Sequence, residues 1–289
     1  MIDYVKLRLP LYCLIYLEEK FEFELRVNEK TGEEYDTKTV KWRSLVIRII
    51  ARCFIEIRGS LHKHWNGNNY DDFTVSECIE TVRKLCLELR VNPKDVQVAN
   101  LEFGSNIQLP FSPKVILESV LFYKKRLFMS LSKSAKNEIG RSVFLSQMGL
   151  KMYDKGAQSN FPEDHPLIRF EVKIMRMQYL TGGGILTLDL LLDQSFYSGL
   201  KYRLLKTWNY VDLADDSLLS LLKTEDQKEF IINWYNPRYT AKLLRNDPEV
   251  FNIEYKRFRR LVKRYSNEEC IKNQMNRLLK EKCEELLNN

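Results

Sequence analysis

Hydrophobic and polar positions alternate with a period of two along most of the first 185 residues, then recur with a period near four almost to the end. Val5, Leu7 and Leu9 alternate with Lys6 and Arg8, and Phe21 to Val27 repeats the pattern before a turn signal at Asn28 to Gly32. From Lys41 to Trp65 the alternation is longest. Cys53, Ile55, Ile57 and Leu61 share one parity while Glu56, Arg58, Ser60, His62 and His64 share the other, so this stretch predicts a strand with one core face and one polar face. Asn66-Gly-Asn-Asn69 reads as a turn. Thr74 reads as the cap of a helix from Val75 to about Leu89, with Cys78, Ile79, Val82, Leu85 and Cys86 on its apolar stripe. Val96 to Leu109 predicts another strand, with Asn100 and Glu102 opposite Leu101 and Phe103, and Ser112-Pro113 opens a second helix to about Phe122.

Gly149 to Lys155 and Leu167 to Ile174 are strand-like segments separated by a short polar loop, which predicts a hairpin. Lys151, Tyr153 and Lys155 fall on one face of the first, and Arg169, Glu171 and Lys173 on one face of the second. After Gly182-Gly-Gly184, read as a hinge, the pattern becomes helical, broken at Pro237 and Pro248. The expected fold is therefore α+β: an antiparallel sheet with helices packed on its apolar side over residues 1–185, then a helical domain over 186–289. Within that second part, Glu254 to Arg264 sets an apolar stripe against Lys256, Arg257, Arg259 and Arg260, a face suited to a phosphate backbone or, with the rest of the helical part, to dimerisation.

Composition narrows the partner. The chain has 289 residues, 44% hydrophobic, and so has enough apolar material for a packed core. Its net charge of +7 suits an anionic partner without identifying one. The six cysteines form no C-x-x-C and read as free thiols of a reducing, bacterial cytoplasm. No segment approaches the roughly 20 apolar residues of a membrane span, and the alternating N-terminus lacks the pattern of a signal peptide. There is no phosphate-cradling G-x-x-x-x-G-K-[ST], no H-E-x-x-H and no G-x-S-x-G.

The polar hairpin face carries the candidate chemistry. A tyrosine that attacks a phosphodiester needs cations near its phenolate, neutralisation of the phosphate, and commonly a divalent metal on carboxylate oxygens. Tyr153 and Lys155 supply the first part; Lys151, Arg169 and Lys173 are candidate DNA contacts. Glu102 and Glu171 are candidate oxygen ligands for Mg²⁺ or Mn²⁺. His62, on the polar parity beside His64, is a further candidate ligand, although Lys63 between them departs from the apolar residue that separates the paired histidines of many nicking enzymes. His165, before Pro166, reads as a loop residue.

Taken in order, Met1-Ile-Asp-Tyr-Val-Lys-Leu-Arg-Leu-Pro10, Asn100-Leu-Glu-Phe103, Leu150-Lys-Met-Tyr-Asp-Lys-Gly-Ala-Gln158 and Leu167-Ile-Arg-Phe-Glu-Val-Lys-Ile-Met-Arg176 resemble the gene II replication initiators of filamentous phages, over roughly residues 1 to 195. The Tyr-x-Lys and Arg-Phe-Glu elements are also similar to motifs of staphylococcal-type rolling-circle plasmid initiators. The resemblance implies a nicking-enzyme-like catalytic domain that cuts one strand of a double-stranded origin, forms a 5′-phosphotyrosyl bond, leaves a 3′-OH for the host replication machinery and rejoins the displaced single strand. It assigns Tyr153 as nucleophile, Lys155 as the adjacent cation and Glu171 as a metal carboxylate; Glu102 stands where the phage proteins carry an Asp. One tyrosine occupies the block, so termination implies a second subunit or another hydroxyl. The alternatives from the residues are a non-catalytic DNA-binding protein of a phage or plasmid, and a single-strand binder, disfavoured by the few aromatics on the polar parities.

Overall fold

The computed structural model describes the chain except for residues 28–29, 133–137 and 163–164, so the turn expected at Asn28 to Gly32 lies partly outside the described residues. The chain opens with β1 (Ile2–Leu9), whose Val5, Leu7 and Leu9 are buried while Lys6 and Arg8 face outward. Pro10 lacks the N–H to extend the ladder, and the chain turns into α1 (Leu14–Lys20). The strand expected from Phe21 therefore starts three residues late as β2 (Glu24–Val27), because the Phe21 N–H still closes the helix onto the Leu17 carbonyl.

β3 (Glu34–Trp42), β4 (Leu45–Ile50) and β5 (Phe54–Ser60) continue the meander. Here the single alternation expected through Trp65 is corrected. Ser60 accepts from the Lys63 N–H and caps α2 (Leu61–Asn66), which stops at Gly67 with φ of 79°. On a helix, residues two apart diverge by about 200°. His62 and His64 thus do not share a face: His62 stacks on Phe73 at 4.8 Å, and His64 meets the edge of Trp42, also at 4.8 Å.

α3 (Val75–Leu89) has the expected bounds and a capping box between Thr74 and Glu77. β6 (Gln97–Gln108) follows, then α4 (Pro113–Ser119), shorter than expected because the β-branched and aromatic run Val120–Tyr123 forms strand β7. The chain continues through β8 (Arg126–Leu127), β9 (Met129–Ser132), β10 (Glu138–Phe144), β11 (Met148–Asp154), the short α5 (Lys155–Gln158), β12 (Leu167–Ile174) and α6 (Gln178–Thr181). The glycine run caps α6 with Gly182 at φ of 69°, a left-handed turn that favours glycine. α7 (Gln194–Asn209), β13 (Val211–Leu213), α8 (Asp216–Leu221), α9 (Glu225–Tyr235), α10 (Pro237–Asn246), α11 (Pro248–Tyr265) and α12 (Ile271–Asn288) complete the chain, with prolines opening α10 and α11.

Among the described residues the strands form a ten-stranded antiparallel sheet in the order β2-β3-β4-β5-β1-β6-β12-β11-β10-β9 and a small sheet β13-β7-β8. This is the α+β architecture expected, an antiparallel sheet packed with helices and followed by a helical region. One face of the large sheet is apolar, with Leu7, Ile57, Phe103, Phe170 and Val172 buried, and α3, α7 and α12 contribute to the same core. Trp208 of α7 meets Phe170 edge-on at 5.5 Å and donates to the Lys272 carbonyl at 3.1 Å. The packing does not divide at residue 186. Leu186, Leu188 and the apolar stripes of α7 and α12 belong to the sheet core, while a second core forms from α8, α9 and α11 around Trp234, with Phe122 of β7 inserted into it. No helix among the described residues is long and apolar enough to cross a membrane, and all six cysteines are free.

Candidate active site

The three strands that carry the site are neighbours. β11 pairs β12 with Lys151 opposite Glu171 and Tyr153 opposite Arg169; β12 pairs β6 with Glu171 opposite Gly104, Lys173 opposite Glu102 and Arg169 opposite Asn106. Side chains directly across antiparallel strands share a face, so Tyr153, Lys151, Arg169, Glu171, Lys173, Glu102 and Asn106 converge on the face away from the helices. Two glycines make room there. A Cβ at Gly104 would collide with the Phe170 carbonyl oxygen beside Glu171, and one at Gly140 of β10 would collide with the Met152 carbonyl oxygen beside Tyr153.

Glu171 is the hub. Its Oε2 accepts from the Tyr153 hydroxyl at 3.3 Å and from Arg169 Nε at 2.9 Å, and its Oε1 accepts from Lys151 Nζ at 2.9 Å. Lys151 also reaches Glu102 Oε2 at 2.9 Å, and Lys173 meets Glu102 Oε1 at 2.7 Å. The Arg169 guanidinium continues to Asp3 Oδ2 at 3.0 Å and to Asn106 Oδ1 at 2.8 Å. Asp3, Asn69 and Asn106 are missing from the sequence-level site. Asn106 shares the parity of Glu102 within β6, the one signal that pointed to it. Asp3 arrives through an irregularity in the β1–β6 register between Ile2 and Val5, and Asn69 lies in the turn after α2.

Burial sets the protonation states. Burial pushes the Glu171 carboxyl upward, but Arg169, the hydrogen bond with Glu102 and Lys151 outweigh it and hold Glu171 well below the usual carboxylate range. Glu102 is raised, first by burial and then by the hydrogen bond and charge of Glu171, against the pull of Lys151 and Lys173. Tyr153, 7% exposed, is raised well above an ordinary phenol by burial; Arg169 opposes the shift, and Glu171 and Asp3 add to it. The hydroxyl is thus protonated and donating while the site is closed. With Asp3, Glu102 and Glu171 facing Lys151, Lys155, Arg169 and Lys173, the carboxylates hold the cations in register and the cluster keeps one net positive charge when all are ionised.

Lys155 does not continue the strand. Asp154 accepts from the Ala157 N–H at 2.8 Å and caps α5, so Lys155 opens that helix. Its ammonium is buried between Asn69 Oδ1 at 2.8 Å and Gln158 Oε1 at 2.7 Å, and burial, with Arg169 adding to it, lowers its pKa to about 8. Asn69 also donates to Asp3 Oδ2 at 3.1 Å, and its carbonyl accepts from Arg169 and Asn106, so the Gly67 to Asp72 turn lies against the cluster. Lys282 of α12 ties Asp72 down at 2.6 Å.

Several sequence-level assignments change. Arg169 is 3% exposed and its donors are spent on Asp3, Glu171, Asn106 and Asn69, so it positions the cluster and is not placed to contact a phosphate. Lys151 and Lys173 are partly exposed; Lys151 bridges Glu102 and Glu171, and Lys173 pairs with Glu102. His62 does not join Glu102 and Glu171: no group of three or more His, Cys, Asp or Glu side chains among the described residues converges to hold a metal. Its charged neighbours are Asp3, Arg169, the N-terminal amine and Lys155, and burial lowers its pKa to about 3, so it is a neutral stacked ring. His165 is exposed in the loop before Pro166. On α11, Arg259 is paired with the buried Asp212 at 2.5 Å and Arg257 with Asp226 at 2.7 Å over the Phe230 ring, which leaves Lys256 and Arg260 as the outward cations of the four.

The His62 environment gives a pH signature. With a folded-state pKa near 3 against an ordinary 6.5, only the unfolded chain takes up this proton as pH falls, so the stability it contributes is complete above about pH 6.5 and is lost through the window below it. Denaturant midpoints of wild type and His62→Phe at pH 7 and pH 5 check this; the variant keeps the stacking and loses part of the acid dependence, whereas equal dependence contradicts the assignment.

No family model matches the chain, and no curated protein matches it by sequence. Among solved structures, the rolling circle replication initiator protein from Geobacillus stearothermophilus is similar over 81% of this chain and 94% of its own, at 12% identity and a TM-score of 0.45.

Proposed function

We propose that the protein is a rolling-circle replication initiator that nicks and rejoins one DNA strand through Tyr153. The observation that carries this reading is the convergence of Tyr153, Glu171, Arg169 and Lys151 from two paired strands onto one polar sheet face, in the order of the initiator motifs that the sequence resembles.

In this reading Tyr153 attacks the scissile phosphorus. A bond forms between the phenol oxygen and phosphorus, and the bond from phosphorus to the 3′-oxygen breaks. The phenol proton leaves along its hydrogen bond to Glu171 Oε2 and passes on to solvent, because Glu171, held well below the usual carboxylate range, does not retain it. The departing 3′-oxygen takes a proton from Lys155, whose pKa of about 8 makes it a workable donor near neutral pH. Lys151, partly exposed beside Glu171, offsets the charge that gathers on the phosphate, and Arg169 holds Glu171 in place. The new 5′-phosphotyrosyl ester keeps the energy of the phosphodiester, so the reverse attack by a 3′-OH rejoins the strand without a nucleotide. Tyr153 and Lys155 are both buried, so the Gly67 to Asp72 turn must move for a phosphate to reach them.

Glu102 and Glu171 are the two carboxylates that would hold Mg²⁺ or Mn²⁺, hard cations that take oxygen ligands, if Lys151, which now bridges them, turned away. Such an ion polarises a non-bridging phosphate oxygen when bound.

Supercoiled DNA carrying the parent origin, incubated with Mg²⁺ or Mn²⁺, is expected to give nicked circles with a polymerase-extendable 3′-OH and a blocked 5′ end, and chelation is expected to stop the reaction. Tight binding without nicking, on duplex and single strands with both metals, supports instead a DNA-binding protein without catalysis.

Origin binding is assigned in part to the outer face of α11. Lys256→Ala combined with Arg260→Ala is expected to reduce the slope of log affinity against log salt by roughly two units, close to one per lost phosphate contact. An unchanged slope removes that helix from the interface.

A further inference from the structure

The polar face of the large sheet extends well beyond the site. Lys6 lies opposite Asn100 on one side and Arg58 on the other; Val46 of β4 lies opposite Arg58, and Lys41 of β3 opposite Val46. One strand-step away the row runs Arg8, Glu56, Arg48 and Thr39. Each of β1, β5, β4 and β3 therefore places at least one cation on the face that carries the Lys173 and Glu102 pair.

Acids do not balance this tract. Glu56 is buried and holds Lys6 at 2.7 Å and Arg48 at 3.6 Å, and Glu24 sits at the outer margin opposite Thr39. Arg58, Arg8 and Lys41 are exposed and form no ion pair among the described residues. A groove of about 500 Å³ opens here, lined by Tyr35, Thr37, Thr39, Val46, Arg48 and Arg58. Aromatic rings accompany the charge: Tyr35 is 53% exposed, Arg8 lies over Phe54 at 5.1 Å, and Lys173 approaches the Tyr4 ring at 5.9 Å.

We propose that this tract binds single-stranded DNA flanking the scissile phosphate, led away from Tyr153 over β1, β5 and β4 to the Tyr35 groove. The assignment rests on the nicking function proposed above. Charge complementarity and continuity with the site select a nucleic-acid strand. Rings set on the sheet surface select an unpaired one, because base faces are free to stack only outside a duplex. Arg58 and Arg8 contact phosphates and Tyr35 stacks a base.

The test is fluorescence anisotropy with an oligothymidylate of about 15 nucleotides and with a duplex of the same length, using wild type, Arg58→Ala with Arg8→Ala, and Tyr35→Ala, with circular dichroism to verify folding. The expected result is single-strand affinity lower by about tenfold in each variant, a salt slope reduced by roughly one unit or more in the arginine pair, and little change on duplex. Unchanged single-strand affinity overturns the tract; an equal loss on duplex overturns its single-strand assignment. Nicking by wild type, scored separately, reports on the underlying function: a wild type that binds the oligonucleotide through this tract and never nicks sinks the initiator reading and leaves the tract's binding data intact.

Discussion

Replacing Tyr153 by Phe is expected to lower nicking on the order of 10⁴-fold or more while leaving origin affinity within about a few-fold. The large loss follows from removing the proposed nucleophile, the hydroxyl that donates to Glu171. The small effect on binding follows from geometry: the ring is buried, Phe fills nearly the same space, and the cations that attract DNA are untouched. Stability should change by no more than about 1 kcal/mol, the usual net worth of one hydrogen bond. Loss of binding together with nicking would make the tyrosine structural. Gel quantification of nicked circles and anisotropy on the same preparations separate the two outcomes.

Arg169→Ala is expected to destabilise the fold by about 3–5 kcal/mol, because it leaves Asp3 and Glu171 as buried carboxylates without their shared cation. Glu171 would then rise toward its neutral form, so the loss should shrink as pH falls. Urea unfolding at pH 7 and pH 5 measures both statements. A variant within about 1 kcal/mol of wild type would show that Asp3 and Glu171 are solvated in solution. Arg169→Lys keeps one charge but not the planar fork, and is expected to fall between the two.

The sheet was legible wherever one face is core and the other wet. The Lys151, Tyr153 and Arg169, Glu171, Lys173 triplets fall on one face because strict alternation leaves no other register compatible with burying Leu150, Met152, Phe170 and Val172. α3 was legible from its cap and stripe. The errors arose where capping overrode alternation. His62 and His64 read as strand partners until Ser60 and Gly67 closed a helix around them, and Lys155 read as strand until Asp154 capped α5. The helical region was read by period, and period cannot say which core a helix joins: Trp208 and Met275 pack under the sheet, Trp234 and Phe251 do not. Asp3 and Asn69 reach the site through a register irregularity and a turn, neither of which leaves a periodic trace.

Arg169 also shows why charge on a polar parity is a poor guide to a binding face. It shares its strand face with Lys173, yet its guanidinium is buried because Asn106 of the adjacent β6 and Asp3 of β1, one strand further, close over it. Likewise Arg257 and Arg259 belong to a basic helix by composition, but the acids that hold them come from α9 and β13, distant in sequence.

The most direct measurement is identification of the residue joined to DNA after reaction with an origin-bearing supercoil, by denaturing isolation of the adduct, nuclease trimming and peptide mass spectrometry. A nucleotide mass on the peptide containing Tyr153, absent from the Tyr153→Phe protein, is the predicted result. Nicking with no covalent adduct, or an adduct on any other residue, would contradict the central claim.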